Sequence, residues 1–524
     1  MSYRVLIPTA GTGSRLGTLT KYVNKSLVGI ANRPTISHII EQFPLDVEFV
    51  VALGHKGHLV EEFLKMAYPY RTFYFEYVDP FEGPGSGLGL SVLKCKKHLQ
   101  QPFVFISCDT LVQEEIPALD QNWMGYAEIS DIEQYRTIEI SSNRVIHIHE
   151  KGGGDHFTCK PYIGLAGIYD YQSFWTAMES NKEESIIIGE SHGLRHLIAS
   201  NVKSYCFTWF DTGNLEALEL TRKKYKEPNE PNILEKANEA IWFIDDLVIK
   251  FSDDKRFIEN RVKRAQEIEN FVPEVTGSTP NMYSYKKVKG EVLSSAITLP
   301  LFERLLQHSK CFWEPHKLAP AKQSKFQQDC IRFYKDKTED RIALFYRNFD
   351  RKDGNEKING ADVPELKSLL SKIDWNWLAN GLPGRFHGDY HFENIIYAQD
   401  KKQFVFLDWR QEFGGSLKTG DIYYDFAKLL HGLIISHELI SENHFWINWQ
   451  TDEISYDFHR KQILVECENY FALWLLKNGY DRKKVWVLTA IVYLNIAALH
   501  HYPYGLLLYA LGKSMLNNIL NEKQ

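Results

Sequence analysis

The sequence predicts two successive α/β units: first a mostly parallel sheet with covering helices, then a small strand-bearing lobe followed by a larger, mainly helical lobe. Three observations carry this expectation. Strand-like apolar runs such as 47–53 and 103–108 alternate with helical stretches through the N-terminal part. Strand patterns recur between about 241 and 290, and aromatic-rich helical periodicity then runs across 420–520. Between them, from Lys223 to Asn232, charge and proline replace apolar periodicity. This places the units at 1–226 and 237–524, with a linker at 227–236.

Composition narrows the class. A chain of 524 residues that is 44% hydrophobic builds substantial cores without disulfide staples. A net charge of −6 with no long basic run gives a nucleic-acid partner no electrostatic support. The seven cysteines are scattered and lack C-x-x-C spacing, which suits a reducing, cytoplasmic setting. The first strand begins at residue 4, leaving no room for a signal peptide. From Val485 to Gly512 no charged side chain occurs, yet Asn495, His500, His501 and Pro503 interrupt the run. Two buried helices joined near 500–504 are expected there in place of a membrane span.

Taken in chain order, Arg4-Val5-Leu6-Ile7-Pro8 reads as a buried strand that runs into Thr9-Ala10-Gly11-Thr12-Gly13-Ser14-Arg15-Leu16. Glycines there let backbone N–H groups of Ala10, Gly11 and Gly13 close around phosphate oxygens, and Arg15 adds a permanent charge. A dinucleotide fold would want a third glycine where Leu16 stands, and Lys25 follows in Asn24-Lys25-Ser26-Leu27, so phosphate chemistry is favoured over NAD. These two motifs resemble the sugar nucleotidyltransferase family, which includes the phosphocholine cytidylyltransferases and has a Rossmann-like fold.

The resemblance implies roles for further residues. Gly85 and Gly87, in Gly83-Pro84-Gly85-Ser86-Gly87, stand at the base-contacting loop. Asp109, after the strand ending at Cys108, and Asp211, in Trp209-Phe210-Asp211-Thr212-Gly213, stand at the two metal carboxylates. Glu150, Lys151 and Gly164 stand at the acceptor site. The chemistry explains the pattern: a phosphate oxygen attacking an α-phosphorus unites two polyanions, so Mg²⁺ between Asp109 and Asp211 offsets repulsion, while Arg15 and Lys25 steady the triphosphate.

In the C-terminal part, Asp246-Leu247-Val248-Ile249-Lys250-Phe251 places a lysine inside an apolar strand, where nucleotide phosphates and a helix glutamate would neutralise it. Glu259 is the expected helix partner, with Glu267 in reserve. Further on, His387-Gly388-Asp389-Tyr390-His391-Phe392-Glu393-Asn394 precedes the run Phe404-Val405-Phe406-Leu407 and then Asp408-Trp409. A loop carboxylate at Asp389 can accept a hydroxyl proton, and Asn394 and Asp408 can hold Mg²⁺ against nucleotide phosphates. This set resembles the aminoglycoside phosphotransferase and choline kinase superfamily, which implies a two-lobed protein-kinase-like fold. By that resemblance Asp389 is the catalytic base, and Asp421 and Asp425 brace its loop.

Together the motifs imply a bifunctional enzyme. One site would phosphorylate a small alcohol, amino alcohol or sugar with ATP. The other would couple that product to a second NTP, CTP being favoured, and release pyrophosphate, giving a nucleotide-activated precursor for cell-surface polysaccharide. Under the alternative, the kinase-like region is a non-catalytic sensing or docking module. Small molecules are the only partners implied, and no motif specifies an oligomeric state.

Overall fold

The computed structural model describes residues 3–129, 132–155, 157–226 and 236–522; positions 227–235 of the expected linker lie outside them. The chain divides into two compact units, Met1–Ile258 with Thr276–Lys286, and Glu259–Val275 with Lys287–Gln524.

The first unit is organised by nine strands: β1 (Arg4–Pro8), β2 (Glu48–Leu53), β3 (Phe73–Tyr77), β4 (Phe103–Ile106), β6 (Trp123–Tyr126), β7 (Thr137–Ser141), β8 (Arg144–His149), β9 (Cys159–Ile168) and β10 (Val202–Cys206). A separate two-stranded ribbon pairs β5 (Thr110–Val112) with β11 (Trp209–Asp211). The main sheet runs β3-β2-β1-β4-β9-β6-β10-β8-β7. The pairs among β3, β2, β1 and β4 are parallel. Beyond β4 the long strand β9 enters antiparallel, and β6 with β10 forms one more parallel pair. The parallel character expected from sequence therefore belongs to the β1 half. There Val5, Leu6 and Ile7 are fully buried, as a strand covered on both faces requires.

A four-stranded antiparallel sheet also packs within this unit: β12 (Glu239–Ile244), β13 (Leu247–Ser252), β14 (Val275–Ser278) and β15 (Met282–Lys286), in the order β12-β13-β15-β14. Trp242 is 1% exposed and meets the Phe63 ring edge-on at 5.2 Å, so the small sheet shares the core of the larger one.

The second unit is mainly helical. A hairpin of β16 (Ile395–Ala398) and β17 (Gln403–Phe406) follows the His387–Asn394 segment, with Ile395 opposite Phe406. Helices Arg482–Ala497 and Tyr504–Asn521 pack as an adjoining pair. They account for the uncharged stretch as two short buried helices, and no described helix is long and apolar enough to cross a membrane.

Candidate active sites

The first site forms at the carboxyl ends of β1 and β4. Asn24 is fully buried, donates to the carbonyls of Thr9 (2.8 Å) and His55 (2.6 Å), and accepts from the Ser26 N–H. This fixes the loop that presents Lys25. Lys25 Nζ reaches Asp109 Oδ2 at 3.1 Å, and Ser107 donates to the other carboxylate oxygen. Burial opposes the charge on Asp109, but Lys25 outweighs it and holds the carboxyl down to about 2. Lys25, disfavoured as a cation by burial, is driven upward by Asp109.

Asp211, on the β11 end of the ribbon, accepts from the Gly213 N–H (2.8 Å) and the Tyr135 hydroxyl (2.9 Å). A Cβ on Gly213 would meet Asp211 Oδ1 at 3.0 Å, Asp109 Oδ2 at 3.2 Å and Arg15 Nη2 at 3.3 Å. The two carboxylates and the guanidinium therefore converge on one small volume. Burial, then the negative charge of Asp109, raises the Asp211 carboxyl, a repulsion that a divalent cation between them relieves. Among the described residues no group of three or more His, Cys, Asp or Glu side chains is arranged to hold a metal. Two carboxylates fit Mg²⁺, which takes few protein ligands and completes its shell with phosphate and water.

A cavity of about 370 Å³ opens here, lined by Ala10, Gly11, Arg15, Lys25, Gly87, Asp109, Lys151, Gly164 and Asp211 among others. Gly13 lies outside the lining and supports it: a Cβ there would stand 2.9 Å from the Lys25 Cβ. Gly85, at φ +81°, shapes the turn before Gly87 without lining the cavity. Glu150 is also outside the lining, its carboxylate held by Arg136 and Arg195. Tyr162, within the 160–169 stretch that resembles the acceptor-binding strand, lines the cavity, and so do Tyr135, Arg136 and Glu190, which sequence reasoning missed. The Tyr162 hydroxyl and the Glu190 carboxylate are buried and interact with each other, and burial raises the Glu190 carboxyl. Tyr135, Arg136 and Glu190 sit in no glycine- or strand-end motif, so no local signal marks them. Cys108 is a buried thiol, pushed up to about 11 by burial, and serves as core.

The second site is built around Asp389. Its carboxylate meets Lys428 Nζ at 2.7 Å and His391 Nε2 at 3.5 Å, and accepts from Asn394 Nδ2 at 3.1 Å. Burial disfavours the anion, yet Lys428 and His391 outweigh it and keep Asp389 well below the ordinary carboxylate range. His391, opposed by burial, is pushed up to about 9 by Asp389. Asn394 donates through Nδ2, which leaves Oδ1 as the atom to face a cation. The Leu407 N–H donates to the Asn394 carbonyl at 2.7 Å, so Asp408 follows directly at the open end of the same hairpin. Asp408 takes φ +55° and pairs with Arg261 at 3.3 Å.

Asp421 and Asp425 are fully buried; Asp425 bonds the 387–394 loop directly, whereas the partners of Asp421 lie outside that loop. Asp425 accepts from the N–H groups of His387 and Gly388 and from Trp313. Asp421 accepts from Leu382, Tyr423 and the Tyr334 hydroxyl. Lys250 is buried in β13 of the first unit. Glu259 pairs with Lys263 one turn along its helix, and Glu267 pairs with Lys418. Lys428 is the residue that sequence missed; the eight-residue Asp421–Lys428 interval carries no recognised motif that would place an amine on Asp389.

Comparison with known proteins follows the same division. Residues 331–460 match the "Phosphotransferase enzyme family". A stretch of 176 residues is 29% identical to "Bifunctional protein GlmU" of Methanococcus vannielii, covering 32% of this chain and 41% of that protein. The counterpart from Methanococcus maripaludis strain C5 is 28% identical over 173 residues, covering 32% and 40%. The chain thus spans about two fifths of the length of the curated relatives it matches. Among solved structures, CTP:phosphocholine cytidylyltransferase from Streptococcus pneumoniae aligns at 14% identity and a TM-score of 0.37, over 43% of this chain and 100% of that one. The inositol-1-phosphate CTP transferase from T. maritima aligns at 16% and 0.35, over 43% and 97%. The C-terminal part is thus similar to the phosphotransferase enzyme family over residues 331–460, and the N-terminal region is similar to the GlmU proteins over about a third of the chain.

Proposed function

We propose that this protein catalyses two successive transfers at two separate Mg²⁺-dependent sites. At the second site a small alcohol, amino alcohol or sugar is phosphorylated. Its hydroxyl oxygen forms the new bond to the γ-phosphorus of ATP, the bridging bond to the β-phosphate breaks, ADP leaves, and the proton passes to Asp389. The hydrogen-bonded Asp389, Asn394 and Lys428 cluster carries this reading, because it fixes the carboxylate's direction before substrate arrives. Asn394 and Asp408 would hold Mg²⁺, which supplies charge neutralisation of the phosphates.

At the first site an oxygen of the phosphorylated product attacks the α-phosphorus of an NTP, for which CTP is the favoured candidate, and pyrophosphate leaves. The supporting observation is the convergence of Asp109, Asp211 and Arg15 on the Gly213 position, with Lys25 bound to Asp109. Arg15 and Lys25 steady the triphosphate, Asp109 and Asp211 would hold Mg²⁺, and Lys151 with Gly164 takes the acceptor. Glu150 acts through Arg136. The reading divides the work at 1–226 and 237–524, in the cytoplasm, and makes the product a building block for cell-surface polysaccharide.

The test is a pair of assays on the full chain. ADP formation with ATP, Mg²⁺ and an acceptor panel should vanish in Asp389→Ala. Pyrophosphate release from each of four NTPs with phosphorylated acceptors should vanish in Asp109→Ala. Absence of acceptor-dependent ADP formation by the parent protein, with pyrophosphate release intact, would favour the alternative, a non-catalytic docking module beside a working nucleotidyltransferase; ADP formation that survives Asp389→Ala would remove Asp389 from the role of base.

A further inference from the structure

The charges around Asp389 extend past Lys428. Arg410 runs alongside Gly388, next to Asp389: a Cβ on Gly388 would stand 2.5 Å from the Arg410 Cβ. Its guanidinium lies 4.8 Å from the centre of the Phe333 ring, and Lys337 Nζ lies 4.2 Å from the centre of that same ring. Arg341 follows Lys337 by one turn on the helix Lys337–Phe349, on the same face. Among the described residues no carboxylate is within ion-pair distance of Lys337, Arg341 or Arg410. Glu393 is held by His391, and Asp329 by Arg332. Burial and the fields of Arg410, Arg341 and Lys428 together lower the Lys337 amine to about 7, against the pull of Asp389. Several cations thus crowd a single carboxylate, two of them sharing one aromatic ring, an arrangement that repels itself unless an anion is supplied.

We propose that the acceptor of the phosphotransferase site carries an anionic group of its own, a carboxylate or phosphate beside the hydroxyl that is phosphorylated, and that Lys337 and Arg410 bind it. This inference rests on the kinase reading above and narrows it. A cationic amino alcohol would add positive charge to Lys428, Arg410 and Lys337 with only Asp389 to receive it. The guanidinium of Arg410 suits a planar, two-oxygen carboxylate.

The experiment uses the full chain with Mg²⁺-ATP and three small acceptors that differ in charge: glycerate, glycerol and ethanolamine. Expected is ADP formation with a KM for glycerate at least ten-fold below that for glycerol, and no turnover of ethanolamine. Lys337→Gln and Arg410→Gln should raise the glycerate KM ten-fold or more while changing the ATP KM less than three-fold; Lys337→Arg should restore it. Better turnover of ethanolamine or glycerol than of glycerate overturns the proposal, as does a KM change confined to ATP, which would assign these cations to the nucleotide. Calorimetric titration of glycerate into the protein separates the two readings. Binding lost in Lys337→Gln without any ADP formation rejects the kinase and keeps the anion site; no binding to any variant rejects the anion site.

Discussion

At the residue scale the two sites share one device, a partly exposed carboxylate kept ionised by a lysine drawn from a distant segment. Lys25 serves Asp109, and Lys428 serves Asp389. Lys25→Met should lower pyrophosphate release on the order of 10²-fold or more, as loss of a preorganised cation at a triphosphate does. Asp389→Asn should lower the kcat for ADP formation on the order of 10³-fold while ATP binding, followed by fluorescence titration, stays near the parent value. His387 carries a stability prediction. Its Nε2–H donates to the Leu407 carbonyl and its Nδ1 accepts from the Asp389 N–H, so the neutral ring is the one that fits. Burial, partly offset by Asp389, lowers it from 6.5 to about 3. Because the folded value lies below the unfolded one, the unfolded state binds the proton more readily. Stability is therefore lost as pH falls from about 6.5 toward 3, by about 2 kcal/mol at pH 5. Urea unfolding of the parent should show this loss and His387→Gln should lack it; equal pH slopes for the two proteins would remove His387 from the account.

At the element scale, strand ends and tight turns position these side chains. Asn24 ties three segments by its bonds to Thr9, His55 and Ser26. Asn24→Ala leaves two buried carbonyls without their donor and should destabilise the first unit by about 2–3 kcal/mol. It should also raise the NTP KM, because Lys25 follows directly. Gly164 adopts φ +72°, and a Cβ there would approach the Ser107 Cβ to 2.9 Å. Gly164→Ala therefore strains the backbone and displaces the serine that donates to Asp109, which pyrophosphate release would register as a fall in kcat. Strands were readable in the sequence wherever apolar residues ran together, as at Val5-Leu6-Ile7 and Phe103–Ile106. The antiparallel entry of β9 was not, because a ten-residue strand buried on both faces has the same pattern whichever way its neighbours run.

At the scale of the whole molecule, the two transfers are expected to be separable by mutation: Asp109→Ala should abolish pyrophosphate release and spare ADP formation, and Asp389→Ala should do the reverse. Loss of both activities in either single variant would refute independent sites. The packing of the small sheet yields a second expectation. Trp242 belongs to the same core as Phe63, so Trp242→Ala should destabilise the first unit by about 3–5 kcal/mol and make its pyrophosphate release heat-labile, although residue 242 is far in sequence from every residue of that site.

The sequence by itself determined which chemistry-bearing residues exist and in which local settings: glycines after the first strand, an aspartate shortly after the fourth, and a loop with five residues from the Asp389 carboxylate to the Asn394 amide. Those are local matters of backbone freedom, strand exit and loop spacing. Only the tertiary structure decided which cations neutralise Asp109 and Asp389, that Glu150 is spoken for by Arg136 and Arg195, and that Lys337 and Arg410 each pack against Phe333. The reason is physical: Coulomb interactions fall off with distance through space and have no dependence on separation along the chain, so partners 84 residues apart leave no mark on either local pattern.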